Sequence, residues 1–149
     1  MAVQINYKTG SFKKNITNLV LFVDENFNIN GLKKHVNNIE FSYISDLLIN
    51  VDLKKDLLLF KINSKKTIFL ISIKKNLNTS DIENLGAKFH SFINYDKKSE
   101  YLINADSINS KIENFVGYFL HGLKLKSYEF NIYKSKKKQK NCFYNCFGK

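Results

Sequence analysis

Apolar residues in this chain fall into short unbroken runs, and between the runs they recur at helical spacing. Val3-Gln4-Ile5-Asn6-Tyr7 alternates apolar with polar, the period of a half-buried strand. Lys8 to Lys14 contains Gly10 and Ser11 and reads as a turn. Asn18 to Asp24 encloses the unbroken run Leu19-Val20-Leu21-Phe22-Val23, the signature of a strand buried on both faces, as in the parallel part of an α/β sheet. Asp56 to Ile62, centred on Leu57-Leu58-Leu59-Phe60, and Thr67 to Ile73, centred on Ile68-Phe69-Leu70-Ile71, predict two more buried strands. Asn63 to Lys66 between them is a polar turn of hairpin length.

Helical spacing occupies the intervals. Leu32, Val36 and Ile39, then Ile44, Leu47 and Leu48, predict helix over residues 30–52, with a break in the pattern between the two groups. Ser80 and Glu83 stand at capping-box spacing, and Ile82, Leu85, Phe89, Phe92 and Ile93 follow on one helical face. Tyr101-Leu102-Ile103 reads as a short strand. A third helix is predicted from Asp106 or Ser107, carrying Ile108, Ile112, Phe115, Val116, Phe119, Leu120 and Leu123 at steps of three and four, with Gly122 in its last turn. In the stretch after it, Leu125 to Tyr133, Tyr128, Phe130 and Ile132 alternate. Strands alternating with helices predict an α/β domain with helices on the faces of a mixed sheet. No internal repeat is visible. Five of the seven residues from Lys134 to Lys140 are lysine, and an aromatic segment, Asn141 to Lys149, follows. That shift predicts a first domain over residues 1–133, with 134–149 a lysine-rich linker and the start of another domain.

Composition narrows the class. A chain of 149 residues, 44% of them hydrophobic, is one domain long and can bury a core without staples. The formal net charge of +11 suggests an acidic partner, nucleic acid or anionic lipid. Every cationic side chain is lysine, however, and lysine lacks the planar fork that reads guanine or clamps phosphate bidentately. Proline, tryptophan and arginine are absent while lysine, asparagine, isoleucine and phenylalanine abound. That skew matches an A+T-rich coding sequence, which accounts for part of the excess charge. With Cys142 and Cys146 the only cysteines, no disulfide framework is indicated. No basic segment followed by an apolar core opens the chain, and no run approaches the ~20 residues of a spanning helix. The expectation is a soluble, cytoplasmic protein without a membrane partner.

No constellation of residues predicts catalysis, cofactor binding or metal binding. His35, His90 and His121 lie on separate segments, and none forms the i,i+4 pair that places two ligands on one helical face. Cys142 and Cys146 have no second Cys/His pair to complete a zinc tetrahedron. The glycines are isolated, so no loop cradles a phosphate. No Gly-x-Ser-x-Gly turn is present. The lysine run has two readings: a solvated, self-repelling linker, or a tail that tracks phosphates with steep salt dependence. The aromatics near it, among them Tyr128, Phe130 and Tyr133, read as sheet core or as a stacking platform.

The stretch Gly122-Leu123-Lys124-Leu125-Lys126-Ser127-Tyr128-Glu129-Phe130-Asn131-Ile132-Tyr133-Lys134 resembles the end of the N-terminal domain of leucine (cytosol) aminopeptidases. In that family a long helix runs into Gly-Leu-x-Leu-x-Ser-Tyr-x-Phe-x-x-Tyr-Lys and then a lysine-rich segment. The order of earlier elements is similar too. The chain departs from the family at Ser72-Ile73-Lys74-Lys75, where a glycine-containing turn is usual. The family's metal-binding motif, Asn-Thr-Asp-Ala-Glu-Gly-Arg-Leu, does not occur here, so no catalytic residue carries over.

The resemblance implies a macro-domain-like three-layer sandwich. It also implies a homo-hexameric parent enzyme that removes N-terminal residues from peptides with two divalent metals, zinc or manganese, held in a separate catalytic domain. This chain would then be the non-catalytic assembly domain, with its own catalytic domain and sister subunits as partners. Such a fold does not by itself imply nucleotide binding, since function lives in the site. The alternative is a stand-alone basic module that binds nucleic acid.

Overall fold

The apolar run of residues 19–23 becomes the hub of a sheet. The computed structural model describes residues 3–8, 18–93, 100–128 and 142–147. Along them run β1 (Val3–Lys8), β2 (Asn18–Asp24), α1 (Asn38–Leu48), β3 (Leu57–Lys61), β4 (Thr67–Ile73), α2 (Thr79–Phe92), β5 (Glu100–Asn104), α3 (Phe115–Ser127) and β6 (Cys142–Phe147). The strands form one sheet in the order β1-β6-β5-β2-β4-β3. All neighbours are parallel except β3, which runs antiparallel to β4. β2 and β4 pair along their whole length, from Asn18↔Thr67 to Asp24↔Ile73.

Because side chains alternate across a strand, β2 feeds two cores. Leu19, Leu21 and Val23 join Ile68, Leu70 and Leu102 beneath α1 and the 3-10 turn Asn30–Lys34, which contribute Ile44 and Leu32. Val20 and Phe22 join Phe69, Ile71, Tyr101 and Ile103 beneath α2 and α3. Helices therefore cover both faces, and the fold is the three-layer α/β sandwich expected. In the second core Phe22 meets Phe119 edge to face at 5.3 Å between ring centres, and Phe69 meets Phe89 at 5.6 Å. Such pairs add about 0.5–1.5 kcal/mol each beyond the area they bury.

Several elements differ from the sequence expectation. The helix over 30–52 is two pieces, the 3-10 turn and α1, because Asn37 caps α1: its Oδ1 accepts from the Glu40 N–H at 2.7 Å, and Glu40 accepts from the Asn37 N–H at 3.3 Å. Glu40 also holds Lys66 of the hairpin at 2.6 Å, an ion pair with little exposure on either side. α2 starts earlier than the Ser80/Glu83 spacing implies, since Asn78 and Asp81 form the capping box. α3 starts at Phe115 and not near Asp106, because Ala105–Ser107 is a separate 3-10 turn tied to the sheet. It then continues to Ser127, so Leu125 is helical and not extended. β3 is an edge strand with alternating burial, and its Leu59 is 40% exposed.

Residues 142–147, read from the sequence as the opening of another domain, are instead a strand of this sheet. β6 pairs with β5 on one side and β1 on the other, and β1 reaches the sheet only through β6. The lysine run of 134–140 lies outside the described residues.

α2 and α3 touch backbone to backbone. A Cβ on Gly86 would run into the carbonyl oxygen of Phe119, and one on Gly122 into the carbonyl oxygen of Glu83. Here glycine is needed for close approach and not for its dihedral freedom. Gly86→Ala and Gly122→Ala are each expected to cost about 3 kcal/mol, the upper end of ordinary overpacking. Gly31→Ala, with nothing near its Cβ, should stay within about 0.5 kcal/mol, as surface changes do. Urea midpoints compare the three, and equal values would refute the contact. A chain ending at Tyr128 lacks β6 and leaves β1 without its strand partner, so it should lose the cooperative thermal transition of the full chain. Retention of that transition would place β6 outside the folding unit.

Candidate functional site

Parallel strands present their carboxyl ends along one edge, and open α/β sheets bind ligands there, where successive connections leave in opposite directions. In this sheet that point lies between β2 and β5. The two strands pair only at Leu19↔Leu102 and Val20↔Ile103, so the ladder ends before the carboxyl end of β2. A buried backbone N–H left by the parting strands needs a partner. The Phe22 N–H finds one in the Ser107 Oγ at 2.9 Å, and that hydroxyl donates in turn to the Asn104 carbonyl at 2.7 Å. Asn104, only 2% exposed, accepts from the Asp106 N–H through Oδ1 at 2.9 Å and donates through Nδ2 to His35 Nδ1 at 2.8 Å. These hydrogen bonds tie the carboxyl ends of β2 and β5 to the turn after β5 and to His35.

Sequence reading treats His35 as an ordinary histidine and passes over Asn104 and Ser107. The signal is present in Asn104-Ala105-Asp106-Ser107, a polar cluster directly after an apolar strand. Burial first, and then neighbouring Lys34, push His35 below its ordinary value of 6.5, with Asp106 acting in the opposite sense. Its Nδ1 accepts from Asn104, which is the neutral form.

The other candidates do not assemble a site. His90 is buried in α2. His121 Nδ1 meets Glu83 Oε1 at 2.7 Å and links α3 to α2 at the surface. Cys142 and Cys146 fall on positions of equal parity in β6. Among the described residues no group of three or more His, Cys, Asp or Glu is placed to hold a metal ion. No helix among them is long and apolar enough to cross a membrane.

Another opening runs from the carboxyl end of β4, a cleft of about 1270 Å³ between the start of β3 and α2, which lines it from Asp81 to Phe92. Six lysines line it (Lys54, Lys55, Lys74, Lys75, Lys88 and Lys126), against three carboxylates, Glu25, Asp56 and Asp81. Asp56 is its fixed point: Lys74 sits 3.2 Å and Lys88 3.0 Å from its oxygens, and its carbonyl accepts from the N–H of buried Ser72 at 2.9 Å. Burial alone would raise the Asp56 carboxyl, but the Lys88 and Lys74 ammonium groups outweigh it and hold the group below its ordinary value. Sequence reading misses this cleft because its lysines come from segments far apart in the chain. Lys74 and Lys75, directly after β4, are on its wall.

Burial of neutral His35 makes stability depend on pH. Its folded value lies below its unfolded one, so the unfolded state binds the proton more tightly. The stabilisation is present above the unfolded value and is lost as pH falls below it. Urea midpoints should therefore decline from about pH 7 to about pH 5, and the decline should be smaller in His35→Gln, whose amide oxygen can accept from Asn104. Equal declines in the two proteins would remove His35 from the account.

No protein-family model matches the chain, and no curated protein matches it by sequence. Solved structures match it in shape. The macrodomain of Thermus aquaticus DarG aligns with a TM-score of 0.56 and 8% identity, covering 97% of this chain and 99% of that one. Cytosol aminopeptidase from Coxiella burnetii aligns with a TM-score of 0.57 and 11% identity over 94% of this chain, which spans 28% of the enzyme's length. These likenesses show a macrodomain-like α/β fold.

Proposed function

We propose that this chain is the non-catalytic N-terminal domain of a cytoplasmic, di-metal leucyl aminopeptidase, serving assembly of a homo-hexamer and access to an active site carried elsewhere. The observation that carries the reading is the way the fold aligns: nearly all of this chain corresponds to 28% of a cytosol aminopeptidase, and the remainder of such an enzyme is long enough to hold a separate catalytic domain. The DarG macrodomain fits the shape comparably. Two features favour the aminopeptidase reading over a free-standing ligand-binding macrodomain. One is the Gly122–Lys134 pattern. The other is that Ser107, Asn104 and His35 are hydrogen-bonded to the chain's own groups at the place where open α/β sheets take their ligands. The two metals, zinc or manganese, belong to the other domain in this reading and supply the water-activating chemistry there.

Two measurements test it together. The coding frame beyond Lys149 should continue into a metal-binding motif of the Asn-Thr-Asp-Ala-Glu-Gly-Arg-Leu type. The purified chain should release no leucine from leucine p-nitroanilide when Mn²⁺ or Zn²⁺ is added. A frame lacking that motif, or metal-dependent release by this chain alone, overturns the proposal.

A stand-alone nucleic-acid-binding module is the second reading, favoured by the formal net charge of +11 and the lysine run of 134–140. It requires binding of a single-stranded oligonucleotide that weakens steeply with salt.

A further inference from the structure

The cleft at the end of β4 joins two surface features that are separate in sequence. The first is its charge. Lys74 and Lys88 are engaged by Asp56, and Lys75 lies 3.5 Å from Glu25. Lys54 and Lys55 line the cleft and make no ion pair among the described residues. The carboxylates are thus already partnered, Asp81 by its capping role, and the unbalanced charge of the cleft is positive.

The second feature is apolar. Leu57 and Phe92 line the cleft. Phe92 is 41% exposed and meets Phe69 at 6.4 Å between ring centres. Phe69 pairs across the ladder with Leu59, itself 40% exposed. Leu57 and Leu59 point to the same face of β3. An exposed apolar strip therefore runs along the edge strand into a basic cleft.

We infer that this cleft docks an acidic protein segment that also carries apolar side chains, its carboxylates against Lys54 and Lys55 and its apolar residues against Phe92 and Leu59. Charge complementarity selects the acidic partner. The apolar strip selects a peptide over nucleic acid. A strand of bases would ask for open aromatic faces, and among the described residues Phe92 is the one aromatic on the wall and already packs on Phe69. Lysine also offers point charges, which suit flexible carboxylates and give no base readout. The inference is independent of the aminopeptidase reading, because it concerns this chain's own surface.

The test uses the full chain and two fluorescein-labelled peptides, one alternating Glu and Leu and one of Glu and Ser, read by anisotropy. The Glu-Leu peptide should bind more tightly than the Glu-Ser peptide and more weakly as salt rises. Lys54→Glu with Lys55→Glu should weaken it about tenfold or more, in line with like-charge juxtaposition. Lys33→Glu with Lys34→Glu, the same charge change in the 3-10 turn on the other face of the sheet, should leave it within about twofold, as a charge outside the interface does. Phe92→Ser should abolish the preference for Glu-Leu while sparing Glu-Ser. Circular dichroism melts establish that each variant is folded, and Leu59→Ser provides a second probe of the strip if Phe92→Ser is not. Equal loss in both lysine pairs would reduce the effect to net charge and overturn the proposal. So would binding of a single-stranded oligonucleotide that the Glu-Leu peptide cannot displace, or no peptide binding at all.

Discussion

A strand with apolar side chains on both faces cannot lie at a surface, and β2 is such a strand. Leu19 and Leu21 on one face and Val20 on the other are all fully buried. Water must be excluded from both sides of the sheet at once, which requires a layer above and a layer below. It also requires partners on both edges, because the backbone groups of a strand so enclosed have no solvent to bond. β4 supplies one edge along its whole length, and β5 begins the other. The two cores, the parallel pairing and the helical crossovers that parallel pairing demands follow from this one requirement.

The same requirement explains the polar knot at the end of the sheet. Where β5 leaves β2, the Phe22 N–H would otherwise be stranded among phenylalanines. Ser107 meets it, Asn104 positions the turn that carries Ser107, and His35 reaches across from the opposite layer to hold Asn104. The hydrogen bonds that satisfy this end of the sheet lie at the switch point, where open α/β sheets take their ligands.

How much of this was legible in the sequence depended on the range of the interaction. The strands at Leu19–Val23 and Ile68–Ile71 were plain, since burial on both faces writes an unbroken apolar run. β4 matches its expected bounds, Thr67 to Ile73. The edge strand β3 deceived, because Leu57-Leu58-Leu59-Phe60 reads as doubly buried although Leu59 is partly exposed; periodicity cannot show which strands lie at a sheet's edge. Helix starts were misplaced where asparagine caps, at Asn37 and Asn78, competed with a better-looking serine or with apolar spacing that ran past the cap. Ile108 and Ile112 kept helical spacing yet pack against the core without belonging to α3. The strand Cys142–Phe147 was misassigned because a charged run suggested a boundary, and pairing between the two ends of the chain, as between Val3 and Cys142, leaves no local mark. The lysine cleft was invisible for the same reason.

The contrast between the two openings at the carboxyl edge bears on where function can reside in this molecule. At β2 the polar groups come from separate segments and are committed to one another, and breaking the buried Asn104–His35 hydrogen bond without replacement costs about 1–3 kcal/mol for each group left unsatisfied. The cleft at β4 is different in kind. It is organised around Asp56, and the lysines that hold that carboxylate, Lys74 and Lys88, are each 61% exposed. Exposed pairs of that sort contribute little to stability and can exchange partners at little cost. A surface of exchangeable cations beside an apolar strip is suited to recognition by another chain, whereas the hydrogen-bonded tie at β2 is suited to holding the sheet together.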